Sequence, residues 1–554
     1  MLNSATGTIV RRARQIAADP VLRRWLVRRA LRLTPGAPGY TPHQPPYLTD
    51  RLPIRTGPPD PSPPFLELPP DAPTSSLKLS LASRTIEVEP GDETQLFERR
   101  FPDLEDHLAL HRFSWLPLAK NIDPAWVSAI FGVWREFIRR SSDPWIWHPY
   151  TAAERAVNLL EFGRAHGLPA PLADTLDLLA DHAARIGNAL EYFGRHNTSN
   201  HLANNGRGLY LLGLELGLAE AREIGRIILM KEAERVFMPS GVLREGSSHY
   251  HLLLARNYFQ VANAAAARNR PEAAGLSAIA ERSLRAAAAL VLPGGLPLIG
   301  DISPDCPPSD LMAALPGQPP APPDILDRMA ADGWLRFAGG SWTGLWYVPP
   351  DGWPPMPGHG HNDCGSFELH FGDQPIFVDP GRGRYCETAE AAHYRSGAAH
   401  NGLGIDGLDA YPANRPYYSE EFRRIVCGGP PDLTHTADSV SLRFEGFKRR
   451  RGLGAVERHW RFAGADVVIA DTVEGSGRHK ITRRIATPLS AELFDNEVKL
   501  SSSAENWSVS MPGDVSLQSI TRWRAYGRGT PMSQIVIEET AALPWRGEIR
   551  VRAI

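Results

Sequence analysis

The feature that most constrains the fold of this chain is a change of periodicity part-way along it. From about residue 102 to 290, apolar residues recur at i, i+3, i+4 and i+7, which is the spacing of amphipathic helices. The segments that show it are 124–140, 151–166, 172–194, 200–217, 219–237, 247–269 and 276–292. After about residue 335, short stretches alternate apolar and polar residues between turns rich in Gly, Asp and Asn. This alternation is typical of an antiparallel β-sandwich, so a helical half followed by a β half is predicted.

The connections between the predicted helices are short and contain glycine and proline, as in HGLPAP and NRPEAAG. Sequential helices with short connections pack as antiparallel hairpins. Such hairpins build an α/α barrel or toroid, and an α-solenoid has a similar pattern. The segments have no fixed repeat length, which weighs against the solenoid.

The chain is predicted to have four parts. Residues 1–34 form a basic amphipathic helix, 35–75 a proline-rich linker or strap, 76–335 the helical domain and 336–554 the β-sandwich. The N-terminal segment has no uninterrupted apolar core and no small-residue cleavage site, so it does not read as a secretory signal. Three interpretations stay open for it: weak contact with an anionic membrane surface, docking on a partner, or packing on its own protein.

Charge and composition exclude several classes of protein. The 554 residues include 60 basic and 62 acidic ones, for a formal net charge of −2, and this balance gives no electrostatic case for nucleic-acid binding. The four cysteines form no CxxC pair, which argues against a disulfide scaffold or a cysteine-rich zinc module. No motif resembles a nucleotide loop or a site for an organic cofactor.

The densest group of polar residues in the predicted sandwich lies at 358–381, GHGHNDCGSFELHFGDQPIFVDPG. If its two strands form a hairpin, His361 and Asp379 become neighbours at one edge, and His400 precedes another short strand. Two imidazoles and a carboxylate form a three-ligand zinc set. Spacing alone leaves ordinary hydrogen-bonded loop histidines as the alternative.

The helical half has two further polar groups. RHNTSNHLANNGRGLY, residues 195–210, has more amides at a helix entry than capping requires. REGSSHYH, residues 244–251, places Glu245 and Tyr250 at the start of another helix, where Ser247 and Ser248 account for the capping. Taken alone, Tyr250 is better explained as an amphipathic tyrosine with its ring in the core and its hydroxyl at the surface.

Together these motifs resemble the heparinase II/III-like polysaccharide lyases, a family that includes related alginate lyases. The motifs occur in family order from about residue 100 onward: FPDLEDHLALHRFSWL, WHPYTAAERAVNLLEF, NTSNHLANN, LREGSSHYH, GHGHND, PIFVDPG and YRSGAAHNGLGIDG. The resemblance implies an incomplete α/α toroid followed by an antiparallel β-sandwich. It also implies β-elimination at uronic-acid residues of an acidic polysaccharide.

The resemblance also assigns roles to individual residues. Asn200, with His201 beside it, would stabilise the substrate carboxylate, His359 would be the base, and Tyr250 the acid, serving also as the base for one uronate epimer. His361, Asp379 and His400 would bind a metal, usually zinc, with a mainly structural role. The residues that could pair with the substrate's acidic groups are Arg195, Arg207, Arg244 and Arg395, although each arginine alone is as well explained by a structural ion pair. Glu245 is also predicted to bind the substrate.

The absence of a recognisable secretory signal favours a protein in the cytoplasm or peripheral to the inner membrane, with a periplasmic location left open. It also favours a link to the cell's own exopolysaccharide or capsule. Two other functions stay open. One is an inverting glycoside hydrolase on an α/α toroid, which needs two carboxylates across a cleft. The other is a non-catalytic glycan-binding or assembly factor. The oligomeric state is not predicted.

Overall fold

A computed structural model provides the structure of the protein. It describes residues 1–554 except 1–12, 14–15, 18, 34–40, 51–53, 55–56, 120, 318–320, 354–357, 387, 414–417, 419 and 504. The first twelve residues of the predicted basic helix and the start of the predicted proline-rich segment therefore lie outside the described residues.

The helical half consists of antiparallel helices joined by short turns, as the periodicity predicts. Its helices span Leu104–Arg112, Pro124–Arg140, Pro149–His166, Leu172–Gly187, His201–Glu215, Ala219–Val236, Ser248–Ala267, Ala273–Leu290, Pro308–Ala314 and Pro323–Ala331. Helix 201–215 is buried along nearly its whole length, between helices 149–166 and 219–236. Such all-round burial requires Gly206, Gly208 and Gly213, because an added Cβ at each would lie within 2.8 Å of a neighbouring helix.

The second half is built from antiparallel sheets. Its strands are β5 (Trp334–Gly339), β6 (Trp342–Tyr347), β7 (Ser366–Phe371), β8 (Gln374–Phe377), β9 (Leu403–Ile405), β10 (Asp432–His435), β11 (Ser439–Phe444), β12 (Leu453–Ala463), β13 (Asp466–Gly475), β14 (Arg478–Thr487), β15 (Ser490–Phe494), β16 (Glu497–Ser501), β17 (Asn506–Ser510), β18 (Asp514–Ala525), β19 (Arg528–Ala542) and β20 (Trp545–Ala553). They form an eight-stranded sheet in the order β10-β11-β12-β13-β20-β17-β16-β15 and two four-stranded sheets, β18-β19-β14-β9 and β5-β6-β7-β8. Apolar side chains from all three sheets share one core. The fold class, a helical toroid followed by an antiparallel sandwich, is confirmed.

Four shorter strands lie in the first half of the chain: β1 (Glu67–Leu68), β2 (Leu77–Ser80), β3 (Thr85–Val88) and β4 (Leu168–Pro169). Strand β1 pairs in parallel with β4, so the proline-rich segment is attached to the helical half. Leu48, Ile54 and Phe65 of the same segment are buried in the helical core. Its described residues therefore form a strap along the helices.

A basic helix, Pro20–Ala30, precedes this strap. It packs on the second half of the chain, against helix Glu420–Cys427 and Trp353. A further short α-helix, Ala389–His393, follows β8, and the 3-10 helices Asp92–Glu98 and Pro144–Trp147 lie in the helical half. No helix in the described part of the chain is long and apolar enough to cross a membrane.

Side chains from the sandwich half are buried in the core of the helical half. Trp523 and Tyr526, at the tip of the β18–β19 hairpin, are buried among the helices. The hydroxyl of Tyr526 donates to Asp103, which caps the first helix of the helical half. The relative position of helices and sheets is thus fixed by buried side chains.

Candidate active site and metal cluster

Residues 299–303 connect the helical half to the sandwich at the predicted site. Ser248 N donates to Ile299 O, and Ser247 Oγ donates to Asp301 O, so this segment lies against the start of the helix that contains Tyr250. On its other side, Asp301 N donates to His359 O and Ile302 N donates to Arg382 O. One short segment therefore sets the spacing between Tyr250 and His359.

The structure brings Tyr250 and His359 into direct contact. Their rings are stacked, with centroids 3.8 Å apart and planes inclined by 18°. The helix of Tyr250 begins where sequence analysis predicted, because Ser247 Oγ accepts a hydrogen bond from Tyr250 N. Burial, with nearby Asp305, holds the pKa of Tyr250 well above its ordinary value. Tyr250 is therefore a neutral phenol at physiological pH, able to donate a proton.

His359 is held by a buried carboxylate that sequence analysis did not identify. His359 Nδ1 lies 3.1 Å from Asp301 Oδ2, and Arg382 Nη1 donates to both carboxylate oxygens of Asp301. Burial alone would raise the pKa of Asp301. Arg382 and the two imidazoles bonded to Asp301 outweigh burial and hold that pKa well below its usual range. An ionised carboxylate only accepts hydrogen bonds, so Nδ1 carries a proton, and the acceptor nitrogen of the neutral imidazole is then Nε2.

Tyr385 is a second residue that the sequence analysis missed. Its hydroxyl donates to Ile302 O at 2.7 Å and lies 2.9 Å from the hydroxyl of Tyr250. Since the single proton of Tyr385 is used by the carbonyl, Tyr250 donates to Tyr385 Oη. This bond fixes the direction of the Tyr250 hydroxyl.

Asn200 and Glu245 lie beside His359. Asn200 precedes the helix His201–Glu215, and its side chain makes no capping hydrogen bond. Its Nδ2 donates instead to Glu245 Oε2 at 3.0 Å, and that oxygen lies 3.6 Å from His359 Nε2. Both residues are buried. As the sequence predicts, the amide at this helix entry is used for something other than capping.

His201, predicted to act beside Asn200, is paired with a carboxylate that favours its charged form. Its Nδ1 lies 2.7 Å from Glu191 Oε1, and Asn205 Nδ2 donates to the other oxygen of Glu191. Burial works against protonation, but Glu191 outweighs it and raises the pKa of His201. The imidazole ring is about one-third exposed. His201 can therefore place a positive charge where a substrate carboxylate would approach Asn200.

The predicted substrate-binding arginines occupy different environments. Arg207 is buried and donates to Glu154 and Gln260, which is the structural ion pair weighed above. Arg244 donates to the backbone oxygens of Arg195 and Thr198, and burial lowers its pKa to about 10. Arg195 is exposed and Arg395 is half-buried. Their roles in substrate binding stay predictions.

A cluster of histidine and aspartate lies directly beside Asp301. His361, Asp363 and His400 are buried and each offers a ligand atom, all within 4.8 Å of one another. His361 Nε2 lies 2.8 Å from Asp301 Oδ1, which leaves its Nδ1 without a hydrogen-bond partner. Both carboxylate oxygens of Asp363 are likewise buried without a partner, and burial raises the pKa of Asp363 to about 7. Buried ligand atoms of this kind fit a bound cation.

The close group contains Asp363, which sequence analysis did not name, and the assignment of Asp379 as a ligand stays a prediction. Asp363 completes the close group, whereas Asp379 Oδ2 accepts from Ser366 Oγ and lies 2.8 Å from His400 Nδ1. Gly365 and the turn before β7 fold the chain back on itself. Asp363 therefore lies against His361, which precedes it by two residues. Asp379 stands behind His400 and orients its ring, as carboxylates behind ligating histidines do.

The sequence contained signals for some of the missed residues. Asp301 follows the apolar run LPLI, so it stands where a buried extended segment ends. Asp363 lies within the GHGHND motif itself. Tyr385, Glu191 and Arg382 had no such signal, because their positions depend on contacts between distant parts of the chain.

The comparisons with known proteins agree with this architecture. Residues 321–550 match the family model described as "Heparinase II/III-like, C-terminal". Among solved structures the chain is similar to heparinase III, with a TM-score of 0.61 and 15% identity over 82% of this chain and 78% of that one. It is also similar to a mutant of the heparan sulfate lyase HepC from Pedobacter heparinus, with a TM-score of 0.56 and 14% identity over 82% and 78% of the two chains. No curated protein sequence matches this chain.

Identities this low show the fold alone, whereas the family model is a match of sequence. The resemblance stated from the motifs is confirmed on both counts. Residues 321–550 match the model of a heparinase II/III-like C-terminal domain, and the fold is similar to that of heparinase III over 82% of the chain.

Proposed function

We propose that this protein is a polysaccharide lyase that cleaves a uronic-acid-containing polysaccharide by β-elimination. The observation that carries the proposal is the stacked pair of Tyr250 and His359, beside the amide of Asn200. This arrangement joins a neutral phenol to an imidazole whose Nδ1 is bonded to Asp301, so that Nε2 is the acceptor nitrogen of its neutral form. A proton donor and a proton acceptor side by side are what an elimination requires.

The first task of such a site is to make the proton at C5 of the uronate acidic. Removing that proton turns the neighbouring carboxylate into an enediolate dianion. Asn200 Nδ2 can donate to a carboxylate oxygen in place of Glu245, and the His201 imidazolium supplies positive charge. Groups held in place before the reaction stabilise the developing charge without reorganisation.

The proton then passes to His359 Nε2, and the electron pair of the C5–H bond forms the C4–C5 double bond. The resulting imidazolium is stabilised by Asp301, which accepts from Nδ1 and is itself ionised. As the C4–O bond breaks, the departing oxygen takes the phenolic proton of Tyr250. The products are an unsaturated uronate and a new hydroxyl end, and the site is left with a His359 imidazolium and a Tyr250 phenolate. Return of the C5 proton from the imidazolium to the phenolate, whose rings are in contact, restores both groups.

His361, Asp363 and His400 would hold the metal, with Asp379 behind His400. We propose zinc, because two imidazoles and a carboxylate are the ligands that zinc prefers. When bound, the ion would supply a structural link between the loops that contain residues 361 and 400. Asp301 bonds both His359 and His361, so the same link would steady the base.

The test is ultraviolet absorbance during incubation with a panel of uronate polymers: alginate, heparan sulfate, hyaluronan, chondroitin and an exopolysaccharide from the cells that make this protein. Only elimination leaves a conjugated C4–C5 double bond, so a rising absorbance is expected with at least one polymer. The panel also tests the predicted link to the cell's own exopolysaccharide.

Tyr250→Phe should abolish the signal, with Tyr258→Phe as the matched control. Tyr258 is buried on the same helix, and its hydroxyl donates only to Leu229 O. New reducing ends without absorbance would indicate a glycoside hydrolase instead. Binding without any cleavage would indicate a glycan-binding protein.

A further inference from the structure

The basic helix Pro20–Ala30 is held in a fixed orientation on the sandwich half. Leu22 and Trp25 are buried, and the Trp25 ring contacts those of Tyr418 and Phe422 at 5.0 and 4.9 Å. Asp19 caps the helix and also accepts from Arg449 Nε at 2.6 Å, in an ion pair that is almost fully buried. One face of the helix is thus buried against the sandwich half, and the opposite face points to solvent.

The outward face combines exposed apolar residues with arginines. Arg24, Val27, Arg28 and Leu31 recur at i, i+3, i+4 and i+7, so they lie on one side of the helix. Val27 is 53% exposed, and Leu31 and Leu33 are more than 60% exposed. Large apolar side chains this exposed cost free energy in water unless something covers them.

The charge of this face has a single sign. The first 40 residues contain eight arginines and one acidic residue, Asp19, and the structure buries that one. Helix Glu420–Cys427, against which this helix packs, also exposes Arg424 and Ile425. A positive face with apolar side chains in its middle is complementary to a surface that is anionic outside and apolar beneath.

We propose that this face, Arg24, Val27, Arg28 and Leu31 with Arg32 and Leu33, docks on an anionic lipid bilayer. An acidic polysaccharide would pair with the arginines but offers no apolar partner for Val27, Leu31 and Leu33. A bilayer provides both, because phosphate groups meet the arginines while the aliphatic side chains enter the boundary of the acyl chains. The inference is independent of the proposed lyase activity.

Vesicle co-sedimentation of the full chain tests the proposal. Vesicles of phosphatidylcholine containing phosphatidylglycerol should bind the protein at least tenfold more tightly than phosphatidylcholine alone, and salt should weaken the binding. The triple variant Arg24→Gln/Arg28→Gln/Arg32→Gln should lose at least tenfold in affinity. Leu31→Ser/Leu33→Ser should weaken binding while leaving the net charge unchanged.

The matched control is Arg139→Gln/Arg140→Gln/Arg550→Gln, which removes the same charge from exposed positions elsewhere and should bind as the wild type does. Thermal unfolding checks that each variant is folded, since Leu22 and Trp25 are untouched. Equal affinity for both vesicle types, or equal binding by the two triple variants, would overturn the proposal. Retention on immobilised heparin or alginate that depends on the three arginines, without vesicle binding, would overturn it in favour of a polysaccharide surface.

Discussion

At the scale of single residues, Asp301 bonds the imidazole for which we propose the role of base, His359. Its carboxylate keeps the proton of His359 on Nδ1. In Asp301→Asn the amide can donate to Nδ1, which favours the tautomer with Nε2 protonated and unable to accept. We expect kcat to fall by roughly 10²–10⁴-fold, with KM little changed, because the base acts in the chemical step. The decrease in kcat is measured from steady-state rates on the polymer that the panel identifies as the substrate.

The control for this change is Asp332→Asn, which alters a buried carboxylate that accepts from Ser240 N, away from any histidine. Metal content is measured in parallel, because Asp301 also bonds His361. A variant that keeps both its metal and its wild-type kcat would show that Asp301 does not set the tautomer.

Glu191 determines the pH range over which His201 is charged. Because Glu191 raises the pKa of His201, the imidazolium is present below that raised value and is lost as the pH rises through it. The stability that the charged His201 contributes has the same pH dependence. It is complete below the ordinary histidine pKa of about 6.5 and is lost as the pH rises through the raised pKa. Glu191→Gln lowers the pKa of His201, so KM for the uronate polymer should begin to rise at a lower pH than in the wild type.

The measurement is a profile of KM against pH for the wild type, Glu191→Gln and a control, Glu136→Gln. Glu136 is exposed and pairs with Arg139, with no histidine involved. Superimposable profiles for wild type and Glu191→Gln would mean that His201 does not bind the substrate carboxylate.

At the scale of elements, the segment 299–303 must approach the loop before Tyr250 very closely. Gly300 has φ +81°, and a Cβ there would lie 2.3 Å from Gly246 O, a backbone atom that cannot move aside alone. Gly300→Ala should lower the free energy of unfolding by about 3 kcal/mol, since left-handed strain and overpacking add. It should also lower kcat, because the segment sets the spacing between Tyr250 and His359.

Gly407→Ala separates the two causes. Gly407 has a similar φ, +71°, and no atom within 4 Å of an added Cβ. Gly407→Ala should therefore lower the free energy of unfolding by only about 1–2 kcal/mol, which is the cost of the left-handed conformation. The free energy of unfolding of both variants is measured by urea unfolding. An equal decrease in the two would show that the close approach at Gly300 is easily relieved.

Local patterns predicted the elements well and the contacts between them poorly. Six of the seven predicted helices end within about three residues of the observed ones, because amphipathic periodicity and Gly or Pro stops are local properties. The predicted helix 172–194 ends early, at Gly187, and residues 188–200 form a loop stabilised by Thr198.

Site residues inside motifs, such as Asn200, Tyr250 and His359, could be named from the sequence. Tyr385 and Glu191 could not, because Tyr385 lies 135 positions from Tyr250 along the chain and Glu191 acts through a contact that only the fold creates. Asp363 was within the GHGHND motif, yet the choice between it and Asp379 depends on how a turn folds back.

At the scale of the whole molecule, the metal cluster should stabilise the sandwich half. Removing a metal present at a hundred times its Kd costs about 2.7 kcal/mol of stability. We therefore expect a chelator to lower the Tm of the wild type. Asp363→Asn, which removes an anionic ligand, should contain little metal and should have a Tm that the chelator leaves unchanged.

Elemental analysis and calorimetry, each with and without chelator, measure these effects. Asp409→Asn is a suitable control, because Asp409 lies near the cluster, on the cavity that Asp363 and His400 also line, and is not one of its ligands. A metal-free wild type with an unaltered response to chelator would contradict the assignment.

The ion pair between Asp19 and Arg449 joins residues 430 positions apart. During synthesis on the ribosome, the helix Pro20–Ala30 emerges first, but Trp353, Phe422 and Arg449, on which it packs, are made several hundred residues later. Until then Leu22 and Trp25 have no site to bury them, while the strap behind can already settle on the completed helices. The helix Pro20–Ala30, translated before both halves, is thus among the last of the described elements to reach its native position, and its docking reports that the sandwich half has been made.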